Sequence, residues 1–215
     1  MVRDLTRTIN GWVIRQRIPD VPEKSPLILM LHGWTGDENS MWVFANRLPD
    51  KSTLVAPRGL YPAPAGGYGW HEHKVKVMPW VDDFQPAIQA LLDLLTPPNF
   101  PEADLTSIHV VGFSQGAALT YALALQHPAL IKDLAGLSGF LPEGSIALAR
   151  NRPLTGKRVF IAHGTQDDMV PVERARQAAE TLEQAGAQVN YCEDDVGHKL
   201  SASCFRGLED FFSRD

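Results

Sequence analysis

Three kinds of side chain in this sequence could act together on an acyl group. Ser114 is the centre of Gly112-Phe113-Ser114-Gln115-Gly116, Asp167 and Asp168 follow Ile161-Ala162-His163-Gly164-Thr165-Gln166, and His198 follows Gly197. A serine hydroxyl is a poor nucleophile until a neutral imidazole accepts its proton. A buried carboxylate must then hold that imidazole in one tautomer and stabilise its charged form. Such a set attacks an acyl carbon, passes through a tetrahedral oxyanion and leaves an acyl-enzyme for water to hydrolyse.

The elements around Ser114 are the ones this chemistry needs. Ile108-His109-Val110-Val111 is rich in β-branched residues, and Gln115 to about Gln126 carries small and apolar residues at helical spacing before His127-Pro128 stops it. A serine on a strained strand-to-helix turn has its hydroxyl pushed out of the sheet, and chain must approach it closely two residues to either side. Gly112 and Gly116 carry no β-carbon and tolerate that crowding. The plain alternative is an ordinary turn with a capping serine. Ser138 also lies among glycines, but Phe140-Leu141-Pro142 follows it where a helix would be required, so it reads as a strand end. His32 and His163 precede glycines at strand ends and read as structural hydrogen-bonding groups, as do His109 and His127. His71-Glu72-His73 has the spacing of a metal site but lacks a third ligand at a suitable distance.

The rest of the chain supplies strands to carry these residues. Asn10-Gly11 lies between two β-forming runs and predicts a hairpin at a sheet edge. Leu27–Leu31 is a continuous apolar run suited to a strand buried on both faces, and His32-Gly33-Trp34-Thr35-Gly36-Asp37 follows it as a loop. A short helix is expected over about Ser40–Leu48, a strand over Thr53–Pro57, and a long irregular segment from Arg58 to Trp80 that is rich in Pro and Gly. A helix starting near Asp83 carries Phe84, Ile88, Leu91, Leu92 and Leu95 on one face. Further strands are expected at Leu134–Ser138, Lys157–His163 and Ala187–Cys192, with helices from Pro171 to about Ala185 and from Ser203 to Phe212. Strands alternating with helices after a hairpin predict an α/β fold with a mostly parallel, doubly wound sheet. In such sheets ligands bind beyond the carboxyl ends of the strands, where Ser114, the aspartates and His198 all fall.

Composition narrows the classes of function. At 215 residues, with 44% hydrophobic and 21% charged residues, the chain is expected to form one domain over 1–215. A net charge of −5 leaves no basic footprint for nucleic acid. No apolar run approaches the ~18 residues of a membrane span, and the N-terminus lacks the apolar core of a secretory signal, so a cytoplasmic protein without membrane insertion is expected. The two cysteines, Cys192 and Cys204, have no C-x-x-C spacing and are expected as buried thiols.

Leu31-His32-Gly33-Trp34-Thr35-Gly36-Asp37, Ala56-Pro57-Arg58-Gly59, Gly112-Phe113-Ser114-Gln115-Gly116, His163-Gly164-Thr165-Gln166-Asp167-Asp168-Met169-Val170-Pro171 and Gly197-His198 together resemble the phospholipase/carboxylesterase family of small α/β-hydrolases. The resemblance spans nearly the whole chain, and the order serine, acid, histidine is that of the fold. It implies an α/β-hydrolase fold without a cap domain and a Ser114, Asp167, His198 triad. Asp167 is the acid because it is the fifth residue of the H-G-x-x-D segment, with Asp168 as the alternative. It also implies an oxyanion hole made by the backbone N–H groups of Trp34 and Gln115. Main-chain donors held by a turn need no reorganisation when charge develops. Trp-Thr after His32-Gly33 departs from the thioesterase pattern, where a shorter leucine-glycine stretch stands.

Trp34, Trp70 and Met169 are the expected substrate contacts in an apolar pocket. The expected activity is a serine carboxylesterase acting on small-molecule esters with short to medium acyl chains, as a monomer or homodimer, without cofactor or metal. Acyl thioesterase or lysophospholipase activity would use the same residues, and a non-catalytic ligand-binding protein on this fold is the competing class.

Overall fold

Asn10 and Gly11 both take positive φ, 49° and 87°, the twist that a two-residue hairpin turn demands and that Asn-Gly adopts at least cost. They join β1 (Arg3–Ile9) to β2 (Trp12–Ile18) in an antiparallel pair that runs from Ile9↔Trp12 to Arg3↔Ile18. The computed structural model that shows this describes residues 2–21, 23–72 and 78–213. The chain continues through β3 (Ser25–Leu31), a 3₁₀ helix at Ser40–Arg47, β4 (Thr53–Pro57), and the two-residue strands β5 (Tyr61–Pro62) and β6 (Tyr68–Gly69). A 3₁₀ turn at Val81–Phe84 leads into α1 (Gln85–Leu94). Then come β7 (Ala103–Phe113), α2 (Gln115–Gln126), β8 (Ile131–Leu137), α3 (Ser145–Ala149), β9 (Arg158–Gly164), α4 (Val172–Gln184), β10 (Gln188–Asp194) and α5 (Ala202–Phe212).

Among the described residues the main sheet has eight strands in the order β1-β2-β4-β3-β7-β8-β9-β10. The hairpin occupies one edge and joins β4 antiparallel; from β4 to β10 every neighbour is parallel. The strand order turns back at β3, with β4 on one side and β7 on the other. The crevice beyond the ends of β3 and β7 is therefore the place where such a sheet accepts a ligand.

Both faces of the sheet are covered. Leu27, Leu29, Leu31, Val110 and Ile161 pack toward α1, α2 and α4, while Ile28, Met30, Val111 and Phe160 pack toward the Ser40–Arg47 helix and α5. The two sets alternate along each strand, as a pleated strand buried on both sides requires. This is the α/β-hydrolase arrangement that the resemblance implies.

Three elements differ from the sequence expectation. β7 starts at Ala103, five residues before the apolar run, because its first half pairs with Ser25 and Pro26 at the start of β3 before a register shift. α3 was not expected. The Arg58–Trp80 segment is not wholly irregular: β5 and β6 pair through Tyr61↔Gly69 and Pro62↔Tyr68.

Candidate active site

Ser114 has φ 53° and ψ −115°, a positive φ in a residue that carries a β-carbon. Backbone in that region is strained and persists only where its surroundings hold it. The surroundings are visible in the glycines. A β-carbon on Gly112 would lie 2.2 Å from the Gly116 carbonyl oxygen, and one on Gly116 would lie 2.0 Å from the carbonyl oxygen of Leu31. The elbow is thus wedged against the end of β3, and α2 starts directly behind Ser114 with its first turn buried. The N–H groups of a first helical turn have no partner within the helix, and the helix dipole favours negative charge there.

Asp167 and His198 meet. His198 Nδ1 is 2.6 Å from Asp167 Oδ2, while Asp167 Oδ1 accepts the backbone N–H groups of Met169 and Val170, each at 2.9 Å. Asp167 is 7% exposed and its carboxylate has no accessible surface, whereas Asp168 faces solvent. Burial of a carboxylate calls for this full set of partners. Of the two aspartates, Asp167 is therefore the one the fold directs to the imidazole. His163 flanks it, with Nε2 2.8 Å from the Val170 carbonyl oxygen and 3.4 Å from Asp167 Oδ2. Phe113, the residue before Ser114, packs its ring 5.0 Å from that of His198, so Asp167, His198 and the elbow share one edge of the sheet. Ser138 is wholly buried and offers no hydroxyl to a substrate.

His32 holds the loop that carries Trp34. Its Nδ1 lies 2.7 Å from the Gly33 carbonyl and its Nε2 accepts the Gly59 N–H at 2.8 Å. Accepting at Nε2 requires the neutral tautomer with the proton on Nδ1. Burial pulls this imidazole below its ordinary value, against the hydrogen bond to Gly33 and the charges of Asp37 and Glu38 that favour the cation. Next to it the Arg58 guanidinium grips Glu38 at 2.8 and 3.0 Å and holds that carboxyl below the usual carboxylate range.

Trp70 requires a correction. It was expected to touch substrate, but it is 0% exposed, its indole N–H is donated to the His32 carbonyl at 2.7 Å, and its backbone N–H to Gln115 Oε1 at 2.8 Å. A glycine-rich segment can tuck an aromatic ring under itself, and here Trp70 anchors the Arg58–Trp70 stretch beneath the site. The Gln115 side chain is thereby engaged away from the elbow. Met169 is 72% exposed beside Asp167. Trp34 is half-buried and lines a cavity of about 510 Å³ together with Met41, Val43, Phe44, Phe113 and Leu200. Of these lining residues only Trp34 was anticipated as a site residue. The signal for Phe113 was present, since in a strand it shares a face with Val111 and so points away from Gly112. Residue His73 of the His71-Glu72-His73 reading lies outside the described residues.

The expectation of two thiols is also overturned. Cys192 on β10 and Cys204 on α5 form a disulfide with Cα atoms 5.7 Å apart. The return of α5 against β10 and β9 brings the pair together, a packing that sequence spacing does not encode. The closed segment contains His198. Among the described residues no helix is long and apolar enough to cross a membrane.

Residues 17–214 match the pattern of the phospholipase/carboxylesterase family. The chain is 32% identical over 124 residues to a probable carboxylesterase of Oryza sativa subsp. japonica, covering 57% of this chain and 46% of that protein. It thus spans about half the length of that relative. It is 27% identical over 188 residues to acyl-protein thioesterase 1 of Debaryomyces hansenii, covering 77% of this chain and 79% of that one. The crystal structure of a carboxylesterase from Mesorhizobium loti superposes with a TM-score of 0.81 at 21% identity over 99% of both chains, a likeness of fold. With its sheet order, its elbow and a match over residues 17–214, the chain belongs to the phospholipase/carboxylesterase family.

Proposed function

We propose that this protein is a serine hydrolase of carboxylic esters, with Ser114 as nucleophile, His198 as base and then acid, and Asp167 as the group that orients the imidazole. The observation that carries the reading is the 2.6 Å bond between His198 Nδ1 and a fully buried Asp167 carboxylate, on the sheet edge where Ser114 stands in a strained turn. With Nδ1–H held by the carboxylate, Nε2 is the nitrogen left to take the serine proton. Oγ attacks the acyl carbon, and the backbone N–H groups of Trp34 and Gln115 receive the oxyanion. The proton passes from Nε2 to the leaving oxygen, and water then hydrolyses the acyl-enzyme by the same path in reverse.

Short to medium acyl esters are the proposed substrates, with the Arg58–Trp70 segment drawn inward by the buried Trp70. Thioester hydrolysis is the second reading, favoured by the relative named an acyl-protein thioesterase. Location belongs to the proposal too. A reducing cytoplasm would hold Cys192 and Cys204 as thiols, whereas an oxidising compartment sustains their bond.

The test is a fluorophosphonate probe applied to the wild type and Ser114→Ala, followed by a panel of p-nitrophenyl esters. Labelling of the wild type and loss of label in the variant are expected, with activity greatest on the shorter chains. Equal labelling of both proteins would exclude Ser114, no labelling of the wild type would leave a binding protein, and best activity on palmitate would refute the proposed chain length.

A further inference from the structure

We infer that the 510 Å³ cavity beside the elbow is the subsite for the departing alcohol, and that it selects esters of apolar alkyl or aryl alcohols. This rests on the nucleophile and base assigned above and adds the half of the substrate that those residues leave undefined.

The placement follows from where the proton must go. In acylation the Oγ–carbon bond forms as the Ser114 proton moves to His198 Nε2. The carbon–oxygen bond to the alcohol then breaks as that proton moves to the alcohol oxygen. The departing oxygen therefore lies on the imidazole's side of the acyl carbon, and whatever it carries extends past the imidazole. The cavity is built there. Its floor is Phe113, whose ring is 5.0 Å from the His198 ring. One wall is Leu200 and Phe205, from the segment that leaves His198 and enters α5. Met41, Val43 and Phe44, from the 3₁₀ helix that follows Gly33 and Trp34, line it as well, with the Phe44 ring stacked 5.4 Å from that of Phe205.

Met41, Phe44, Phe113, Leu200 and Phe205 all lie on the sheet face covered by that helix and α5. Met169 leaves the acid strand next to α4, which covers the other face, and so lies away from this cavity. The lining is predominantly apolar, with Lys199 at the exposed rim. Its volume falls in the range of small-molecule sites, roughly 300–1,000 Å³, which is room for a phenylalkyl group.

The experiment holds the acyl group fixed as butyrate and varies the alcohol from ethyl to hexyl to 2-phenylethyl, in the wild type and in Val43→Arg. Val43 is 66% exposed on its helix, so a longer side chain there reaches the cavity wall without entering the core. Burying apolar surface is worth roughly fourfold per methylene, so kcat/KM should rise about tenfold or more from ethyl to the larger alcohols. Val43→Arg should remove most of that rise.

Pre-steady-state bursts with a p-nitrophenyl ester locate the effect. Acylation, which expels the alcohol, should slow in the variant, while the deacylation rate, in which no alcohol is present, should stay at the wild-type value. Slowed deacylation would place the acyl chain in the cavity and overturn the inference, as would a flat dependence on the alcohol in the wild type. Fluorophosphonate labelling of Val43→Arg at the wild-type extent shows that the nucleophile is intact. Failure of Ser114 as nucleophile appears instead as undiminished labelling of Ser114→Ala.

Discussion

Gln115→Met separates what the residue after Ser114 does with its backbone from what it does with its side chain. The side-chain oxygen accepts the Trp70 N–H at 2.8 Å, Gln115 is 6% exposed and Trp70 is 0% exposed, so no water can take over when the oxygen is removed. Methionine is similar in length and volume but cannot accept that bond well. An unsatisfied buried amide costs roughly 1–3 kcal/mol, and full burial of Trp70 puts this case at about 2 kcal/mol or more. At about 2–4 °C per kcal/mol for a chain of this size, Tm should fall by roughly 4–8 °C. The backbone N–H at position 115 survives any substitution other than proline, so kcat on p-nitrophenyl butyrate should stay within about tenfold of wild type at a temperature where both proteins are folded. Loss of an oxyanion donor costs on the order of 10²–10³ in kcat. A variant with unchanged Tm and a kcat reduced by that factor would show that the side-chain amide, and not the backbone, contacts the oxyanion.

Three further outcomes follow from the geometry. Asp167→Asn should lower kcat by up to about 10⁴-fold through the wrong imidazole tautomer, as in serine-histidine-aspartate triads generally; the exposed Asp168→Asn should change it less than about threefold, and the reverse ranking would reassign the acid. Because burial lowers the folded value of His32, its contribution to stability is complete above the ordinary imidazole value of about 6.5. It is lost as pH falls from there toward the lowered folded value, since the unfolded chain takes up the proton first. Urea unfolding at pH 7.5 and 5.5 should therefore show a smaller acid-side loss in His32→Asn than in the wild type, and identical losses would remove His32 from the account. Cys192→Ser/Cys204→Ser should reduce unfolding free energy by about 2–4 kcal/mol by reopening the loop, with a lowered kcat because His198 lies within it. Unchanged stability and kcat would mean that the bond does not constrain that loop.

The elbow was legible in the sequence because its requirements are local: Gly112 and Gly116 are dictated by carbonyl oxygens that lie within a few residues or at the end of the neighbouring strand. The hairpin was legible for the same reason. The preference for Asp167 over Asp168 came from resemblance alone, since both are adjacent carboxylates and only the direction of the turn after β9 buries one and exposes the other. Trp70 could not be read correctly, because a tryptophan in a glycine-rich stretch carries no period to show which way it faces; its burial depends on the His32 carbonyl and the Gln115 amide, far away in sequence. The cavity was equally hidden, being assembled from the 3₁₀ helix, β7 and the start of α5. Ala103–Ser107 escaped because its polar residues continue a strand whose pairing is set by the first residues of β3.

The Cys192–Cys204 bond makes the history of a preparation a variable of the site. A chain matured under oxidising conditions carries its histidine on a covalently closed segment, whereas one recovered from a reducing cytosol carries the same histidine on an open one. Two laboratories could purify the identical sequence, measure different specific activities and both be correct. The thiol content of each sample, titrated under denaturing conditions, is the quantity that would reconcile them.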